Sequence, residues 1–286
     1  MSPLIRPAER RDADVIAAFT TDTFSWGDYV GEAFLDWLDE PATQVAVAAD
    51  SDDRPVAIAR VRMLSDREGW LSAARVHPDH RRRGLGSALN DWCVGWVESR
   101  GGAVVRLQIE EWNDAAINQV EGLGYRPVAT VVNADRAVAD TGIEPATNGG
   151  RRKRAEERLD RAPRAEAEGA FIAWSTSELA RAAHGLYPVE PWAWRRMIQD
   201  DARRGQTWFC PSGWVMAEQG DERLVVRWMV ATPEDAGQLV RATVDLAQER
   251  GSPGVHLVVP SLEWMADALS HNGFQSHPSL IFEKPL

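Results

Sequence analysis

Lysine is nearly absent from this 286-residue sequence: Lys153 and Lys284 are the only two, and the remaining basic residues are all arginine. The 43 acidic residues outnumber the 32 basic ones, which gives a formal net charge of −11. Binding of nucleic acid depends on clustered positive charge. An acidic chain with no large basic face therefore argues against nucleic acid as the main partner.

Cysteines and long apolar runs are also scarce. Cys93 and Cys210 lie far apart in no metal or redox spacing, which predicts two buried free thiols in a reducing compartment. The six histidines form no helical i, i+4 pair around an acidic residue, so no zinc site is expected. No apolar run approaches the ~20 residues of a membrane helix, and the first residues lack a signal-peptide pattern. We expect a cytoplasmic protein with no metal and no membrane partner.

Strand and helix patterns alternate through the first half of the chain. Apolar residues at helical spacing predict a helix within 7–19 and a second short helix around Phe34, Trp37 and Leu38. Further strands are predicted at 44–49, 56–63, 70–76 and 104–109, and further helices at 85–99 and 113–123. Such alternation implies an α/β sheet covered by helices.

The length of the chain is comfortable for two domains, and the composition changes where a boundary would fall. From Asn133 to about Glu168 large apolar residues are few, and a basic run occupies 151–154. That run is either a site for an anionic partner or a solvated linker, and the acidic residues just downstream favour the linker. Residues 225–274 then repeat the strand, helix, strand, helix order of the first half, which suggests an internal duplication. We predict domains at 1–136 and 169–286, joined by a linker at 137–168.

The segment 70–89 carries the most informative pattern of the sequence. A strand runs to Val76, a loop turns at Pro78, and two glycines open a helix. Such a turn leaves backbone N–H groups pointing into one concavity, where the helix dipole adds positive charge and the glycines leave room for an anion. The predicted diphosphate site comprises Arg81, Arg82, Arg83, Gly84, Leu85, Gly86 and Ser87. It lacks the Gly-Lys-Ser/Thr ending of an ATP-binding loop; the alternative is a plain strand-to-helix connection with solvated arginines.

Arg81, Gly84 and Gly86 fall on the Arg/Gln-x-x-Gly-x-Gly/Ala signature of the GNAT acetyltransferases, which this sequence resembles over residues 3 to 132. A second GNAT element is matched by Asn113-x-x-Ala116 after a strand, closing in Leu123-Gly124-Tyr125. The resemblance implies a GNAT fold, with a mixed, splayed central sheet flanked by helices. The second half then resembles a degenerate GNAT-like α/β domain.

The same resemblance implies a coenzyme and a reaction. Acetyl-CoA, as co-substrate, would lie between splayed parallel strands at 71–76 and 104–109, with its pantetheine arm paired to backbone near Ala74 and Val76 and with Asn113 at the coenzyme site. An amine would attack the thioester directly, without a covalent enzyme intermediate. A narrower resemblance, carried by residues 22–30 and the degenerate second half, is to bacterial and archaeal relatives of histidine N-acetyltransferase; mycothiol synthase has a similar tandem plan, although there the N-terminal half is the degraded one.

Two positions depart from the family pattern and leave the acid and base of the reaction open. GNAT enzymes often carry a tyrosine seven residues after the motif asparagine, as general acid for the leaving thiolate, where this chain has Val120. Many also have a glutamate where this chain has Ser72. Glu110 and Glu111, at the end of the second splayed strand, are the candidate catalytic bases, and strand alternation turns one of them away from the cleft. Taken singly, each side chain is more typical of a solvated carboxylate than of a catalyst.

The loop between the first two helices would face the acceptor in a GNAT fold. Trp26, Asp28 and Tyr29 are therefore the candidate acceptor-binding residues. An acidic side chain there could hold the ammonium group of a substrate. Simple packing is the alternative for the two aromatic side chains.

The second half offers no equivalent of the diphosphate site. Residues 231–234 contain neither a glycine pair nor an arginine, and Glu234 at a helix start would repel a phosphate. We therefore expect a structural second half, or one that contributes walls to the acceptor pocket. The function expected is acetyl transfer from acetyl-CoA to the amine of a small molecule, an amino acid being one candidate. A non-catalytic acyl-CoA-binding sensor, favoured by Val120 and Ser72, and a protein N-terminal acetyltransferase are the alternatives.

Overall fold

The computed structural model describes residues 4–21, 23, 27–138 and 157–286. The chain divides into two compact units. The first contains Met1–Gln108, Asn113–Arg126 and Phe282–Leu286, and the second contains Ile109–Trp112 and Pro127–Ile281. The linker predicted at 137–168 lies mostly outside the described residues, so its boundaries stay a prediction.

The first unit is built on five strands with helices between them. The strands are β1 (Leu4–Pro7), β2 (Thr43–Ala49), β3 (Pro55–Ser65), β4 (Glu68–Val76) and β5 (Val104–Glu110, of which the last two residues belong to the second unit). The helices are α1 (Ala13–Thr20), α2 (Val30–Asp39), α3 (Leu85–Glu98) and α4 (Asp114–Gly122). The strands follow chain order in the sheet; the pairs from β1 to β4 are antiparallel, and β4 with β5 is parallel.

Apolar spacing explains how α2 packs against the sheet. Val30, Phe34 and Trp37 recur at helical intervals and are buried on one face, against Val47 and Ile58 of the strands. Full burial of one such side chain stabilises the fold by roughly 1.5–3 kcal/mol. This packing positions α2, whose first residue directly follows the predicted acceptor residues Asp28 and Tyr29.

The second unit contains a larger mixed sheet, with antiparallel and parallel pairs, and a separate two-stranded hairpin. Its strands are β6 (Arg126–Ala137, with its first residue in the first unit), β7 (Asp160–Arg161), β8 (Leu186–Glu190), β9 (Ala193–Arg196), β10 (Thr207–Cys210), β11 (Gly213–Gln219), β12 (Leu224–Val230), β13 (Gly254–Pro260) and β14 (Gln275–Pro285, with its end in the first unit). Its helices are α5 (Ala167–Ser175), α6 (Glu178–Ala182), α7 (Gln199–Arg204), α8 (Ala236–Glu249) and α9 (Glu263–His271). The order of the sheet is β14-β6-β13-β12-β11-β10-β7, and β8 pairs with β9.

The predicted mixed α/β class with sheets covered by helices is confirmed. Both units also show the repeated order that the sequence suggests. In each, two antiparallel strands are followed by a helix and then by a strand parallel to the second of them. These elements are β3, β4, α3 and β5 in the first unit and β11, β12, α8 and β13 in the second. Within the described ranges, no helix is long and apolar enough to cross a membrane.

The two cysteines are buried and unpaired, as expected. Burial raises the pKa of the Cys93 thiol to about 12 and that of the Cys210 thiol to about 11. Since the thiolate is the reactive form, both side chains are chemically quiet at neutral pH.

Candidate active site

The N-terminus of α3 has no side-chain cap among the described residues. Its N-cap, Gly84, has φ 76° and ψ 7°, and no side chain caps the helix. The first helical hydrogen bond runs from the Ala88 N–H to the Gly84 carbonyl at 3.0 Å. The N–H groups of Leu85, Gly86 and Ser87 therefore have no acceptor within the described chain, and they lie at the positive end of the helix dipole. Three such donors at one helix start form an anion site.

Three exposed arginines precede this helix start. Arg82 has φ 62°, a left-handed conformation that costs a non-glycine residue roughly 1–2 kcal/mol. Arg81 donates through Nε to the Val76 carbonyl at 3.4 Å, across the turn from β4. Arg83 lies just before the glycine N-cap. The loop thus places exposed positive charge beside fixed N–H donors.

The two glycines of the loop lie in different surroundings. A Cβ at Gly84 would meet nothing within 4 Å, so the approach to the loop is open on that side. A Cβ at Gly86 would come within 2.6 Å of Nε2 of Gln119, a side chain of α4. Bare N–H donors, an open approach and three cations fit the diphosphate of a coenzyme A thioester.

β4, the strand that leads to this loop, separates from its parallel neighbour β5 soon after the two strands start. β4 and β5 pair in parallel only at Glu68↔Val104, Gly69↔Val105 and Trp70↔Arg106. Arg106, 2% exposed, fixes the closed end by hydrogen bonds of 2.6 Å to each of Glu68 and Glu283. Beyond Trp70 the β5-facing edge of β4 is not used by β5. An extended ligand arm can therefore pair with this edge as an added strand does.

A β-bulge interrupts β4 at the point where the strands have parted. Ile58 pairs with Arg75 and Arg60 with Ser72, so two residues of β4 oppose one of β3. Ala73, inside the bulge, has φ 56°, a strained value for alanine. Bulges take backbone groups out of the regular ladder and re-aim them. The backbone near Ala74, where pantetheine pairing is predicted, is therefore locally irregular.

Asn113 begins α4 as its N-cap. Its side-chain oxygen accepts a hydrogen bond from the Ala116 N–H at 3.2 Å, which explains the spacing of the motif as a helix cap. Its contribution to coenzyme binding stays a prediction. Val120 is buried on the same helix and carries no proton donor. The Tyr125 hydroxyl accepts from Asn90 at 3.0 Å, and burial raises its pKa.

The loop before α2 presents two of the predicted acceptor residues in different ways. The Asp28 carboxylate is fully shielded and accepts from Arg75 Nε at 2.6 Å and from the Val30 N–H at 3.0 Å. An ammonium group would therefore compete with Arg75 for it. Tyr29 is 54% exposed, with its ring edge-on to Trp37 at 5.9 Å. Trp26 lies outside the described residues, and the acceptor roles of all three stay predictions.

Glu110 and Glu111 belong to the segment that the structure assigns to the second unit. Glu110, the last residue of β5, is half-buried, and Glu111, which follows the strand in a turn, is exposed. The Glu111 N–H donates to the Pro278 carbonyl at 3.3 Å. The role of either carboxylate as a base stays a prediction.

Some residues at the site could not be found from the sequence. Arg75 was hidden inside a predicted strand, and its partner Asp28 lies 47 positions away, where charge pairing leaves no local pattern. Gln119 was hidden in the same way, because only the fold brings it over Gly86. Among the described residues, no group of three or more histidine, cysteine, aspartate or glutamate side chains could hold a metal ion.

The chain is similar to several known proteins. The model of the Acetyltransferase (GNAT) family matches residues 13–125. The mycothiol acetyltransferase of Mycobacterium sp. (strain JLS) is 26% identical over 252 residues, which cover 85% of this chain and 76% of that protein. The ribosomal protein bS18 alanine N-acetyltransferase of Salmonella typhimurium is 37% identical over 75 residues, which cover 26% of this chain and 50% of that protein. A tandem GNAT protein from the clavulanic acid biosynthesis pathway superposes with a TM-score of 0.59 and 12% identity, over 99% of this chain and 98% of that one.

The matched range contains the parting strands, the bare start of α3 and the cap of α4. The likeness to the tandem protein, at so low an identity, shows a shared fold over both halves of the chain. Members of the family use acetyl-CoA as co-substrate and an amine as acceptor. The chain therefore matches the GNAT acetyltransferase family over residues 13–125, and the protein is an acyl-CoA-dependent N-acyltransferase.

Proposed function

We propose that the protein transfers an acetyl group from acetyl-CoA, held at residues 81–87, to the amine of a small molecule. The observation that carries this proposal is the uncapped start of α3, with Gly84 at φ 76°, directly after a strand whose β5-facing edge is open. The N–H groups of residues 85–87 bind the diphosphate, and the β4 backbone near Ala74 and Val76 aligns the pantetheine arm. Acetyl-CoA supplies the activated acetyl thioester.

The residues of the chain contribute mainly binding and orientation. Holding two reactants in line can supply roughly 7–11 kcal/mol of the barrier in well-oriented systems. The amine must lose a proton before it attacks the thioester carbon, and the carbon–sulfur bond then breaks with the thiolate leaving. No tyrosine stands at Val120 to protonate that thiolate. Glu110 and Glu111 are the candidates to remove the proton from the amine. The rate should therefore rise with pH as more of the acceptor becomes neutral.

A second acceptor class, the N-terminal amine of a protein, is favoured by one observation. The stretch shared with the bS18 alanine N-acetyltransferase has higher identity, 37%, than the longer match to the mycothiol acetyltransferase, 26%. The longer match spans both halves of this chain, whereas the shorter covers 26% of it. The whole-chain likeness is to an enzyme named for a small molecule, so we favour a small amine, an amino acid among the candidates.

The test is a thiol-release assay with acetyl-CoA over a panel of amino acids, simple amines and short peptides that begin with alanine. Measured from pH 6 to pH 10, turnover with a small amine should rise with pH. Faster turnover with peptides than with any small amine would move the acceptor to protein N-termini. If the coenzyme binds but no acceptor releases thiol at any pH, the sensor alternative replaces the transfer reaction.

A further inference from the structure

A cavity of about 170 Å³ lies within the second unit, away from the diphosphate loop in the sequence. It is lined by residues of β8, α7, β11 and β12, all in the part of the chain between 186 and 230. Met216 supplies an apolar wall, and a Cβ at Gly205 would stand 2.5 Å from the Met216 sulfur. The glycine therefore allows α7 to end close against this wall.

Tyr187 supplies a hydrogen-bond donor to the cavity. Its ring is buried, yet its hydroxyl has no hydrogen-bond partner in the described chain and is not among the atoms shielded from solvent. Asp201, Arg227 and Glu218 line the cavity with Tyr187 and all act electrostatically on this hydroxyl, which places it on the cavity side. Burial, together with the nearby Asp201 carboxylate, raises the pKa of Tyr187. The hydroxyl therefore keeps its proton at neutral pH and can donate it.

Arg227 and Glu218 place opposite charges on the cavity wall. Arg227 lies in a β-bulge of β12, because Ala217 pairs with Val226 while Met216 pairs with Trp228. Its guanidinium contacts the Val189 carbonyl and Oε1 of Glu218. Two of its five N–H donors are thereby used, which leaves further donors for a ligand.

The two carboxylates that line the cavity, those of Glu218 and Asp201, differ in their capacity to accept a hydrogen bond from a ligand. Glu218 contacts Arg227 through Oε1, and its Oε2 accepts no hydrogen bond within the described residues. Asp201, in contrast, has both oxygens filled by Arg195 and the Ile198 N–H. Glu218 is therefore the acidic group with an acceptor to offer, and Asp201 is structural.

We infer that this cavity binds a small zwitterion, a molecule with one carboxylate and one ammonium group, such as an α-amino acid. The ligand carboxylate accepts from the Tyr187 hydroxyl and an N–H of Arg227, and the ammonium donates to Oε2 of Glu218. Met216 contacts the apolar part of the ligand. At ~30 Å³ per water the cavity equals about six waters, so a small amino acid fits and a coenzyme does not. The site does not depend on the transfer reaction proposed above.

Calorimetry on the full chain, without coenzyme, tests the inference with four probes at millimolar concentration: L-alanine, L-serine, propionate and ethylamine. The two amino acids should bind one per chain, and the two single-charge probes, which lack one of the groups, should bind at least about tenfold more weakly. Tyr187→Phe and Glu218→Gln should each weaken amino-acid binding by about tenfold. Glu222→Gln, an exposed carboxylate in the turn before β12, is the matched control and should leave binding unchanged.

Tyr187→Phe removes a hydroxyl that has no protein partner among the described residues, so this variant should keep the melting temperature of the wild type. The inference is overturned if neither amino acid binds, or if propionate or ethylamine binds as tightly as the amino acids. It is also overturned if both variants keep wild-type affinity, since the amino acid would then occupy another part of the protein.

Discussion

The connection from β4 to α3 in the first unit and that from β12 to α8 in the second start alike and end differently. In each, the strand pairs in parallel for three residues with its neighbour, then parts from it and contains a bulge. The first connection ends in a bare helix start behind Gly84. The second ends in Glu234 and Asp235, with Thr232 donating to the Asp235 carboxylate at 2.9 Å and accepting from its N–H at 3.3 Å.

The two connections differ in their loop residues but not in the apolar packing that holds their helices. Leu239 and Val240 of α8 are fully buried, as Leu89 and Val97 of α3 are, so both helices are held by apolar packing. The anion site proposed at the start of α3 depends instead on loop residues outside this packing, of which Arg81, Arg82, Arg83 and Gly84 are exposed. The same scaffold can therefore be kept with or without such a loop, and function belongs to the site rather than to the fold.

The largest effect on acetyl-CoA affinity should come from removing the glycines of the β4–α3 connection, which the β12–α8 connection lacks. Gly84→Val puts a side chain in the open approach and strains the left-handed N-cap, and Gly86→Val puts one against Gln119 of α4 within the first turn of the helix. Loss of two or more hydrogen bonds to a charged group, at about 1.5–3 kcal/mol each, should weaken acetyl-CoA binding by at least about a hundredfold. Calorimetry measures the affinity, and wild-type protein should bind one acetyl-CoA per chain.

Gly101→Val is the matched control for that variant. Gly101 lies past the other end of α3 with φ 80°, and a Cβ there would meet nothing within 4 Å. It should carry a similar backbone strain, of roughly 1–2 kcal/mol, and leave the coenzyme affinity intact. Wild-type affinity in the double variant, or two equivalent binding sites in the native chain, would show that the two connections do not differ as described.

The next largest effect concerns charge. Replacing Arg81, Arg82 and Arg83 together by glutamine should weaken acetyl-CoA binding by roughly ten- to a hundredfold, at about 1–1.5 kcal/mol for each of the better-placed cations. It should also flatten the dependence of affinity on salt, since exposed charges are screened over about 8 Å at physiological ionic strength. Affinities measured at 50 mM and 500 mM salt give both results. Glu234→Gln in the second unit is the control and should change neither.

Elements with strong local signals could be predicted from the sequence. The helix predicted at 85–99 is α3, Leu85–Glu98, and the strand predicted at 104–109 is β5, Val104–Glu110. Glycines at the helix ends and an apolar stripe mark such boundaries in the sequence itself. The strands and helices from β7 to β11 in the second unit were not predicted, because elements of two to nine residues leave little periodicity to detect.

The details of the site depend on contacts between distant segments. The diphosphate site at 81–87 stays a prediction, and it was drawn from glycines and arginines that stand side by side in the chain. The bulge at Ala73 was not, since alanine gives no sign of a left-handed conformation. The Arg75–Asp28 pair and the approach of Gln119 to Gly86 join residues 47 and 33 positions apart, where only the fold sets the distance.

A smaller effect is expected at the two candidate bases. Glu110→Gln and Glu111→Gln should have unequal effects on kcat, because Glu110 ends β5 and is half-buried, whereas Glu111 lies in the turn after it and is exposed. General-base catalysis contributes about a hundredfold or more where it operates, so one variant should lose much of its turnover and the other little. Steady-state rates at several pH values test this, with coenzyme affinity measured alongside. Equal effects, or none, would remove both carboxylates from the reaction.

The smallest effect is expected from two aspartate ion pairs, one in each unit, of which Asp12 is buried and Asp135 is partly exposed. Asp12 accepts from Arg6 at 2.8 Å, and although burial raises the pKa of Asp12, the hydrogen bonds from Arg6 and the Glu9 N–H bring it below 3.8. The pKa of Asp135 is lowered chiefly by its hydrogen bond with His256, at 2.9 Å. At pH 7, Asp12→Asn and Asp135→Asn should each cost about 1–2 kcal/mol of unfolding free energy. Asp12→Asn should cost more, because the Asp12 side chain is 3% exposed and that of Asp135 34%.

The pH dependence of the unfolding free energy tests whether the charge of the aspartate causes the stabilisation. A carboxylate whose pKa is lower in the folded chain stabilises it above the unfolded pKa of about 3.8, and this stabilisation is lost as pH falls through the folded pKa. The difference between wild type and Asp12→Asn, whose partner is an arginine, should therefore be constant from pH 7 to pH 5 and shrink below about pH 4. Urea unfolding at pH 7, 5 and 3 gives the three values. If the Asp12→Asn deficit at pH 3 equals that at pH 7, the aspartate acts through shape rather than charge, and the two ion pairs no longer form a valid comparison between the units.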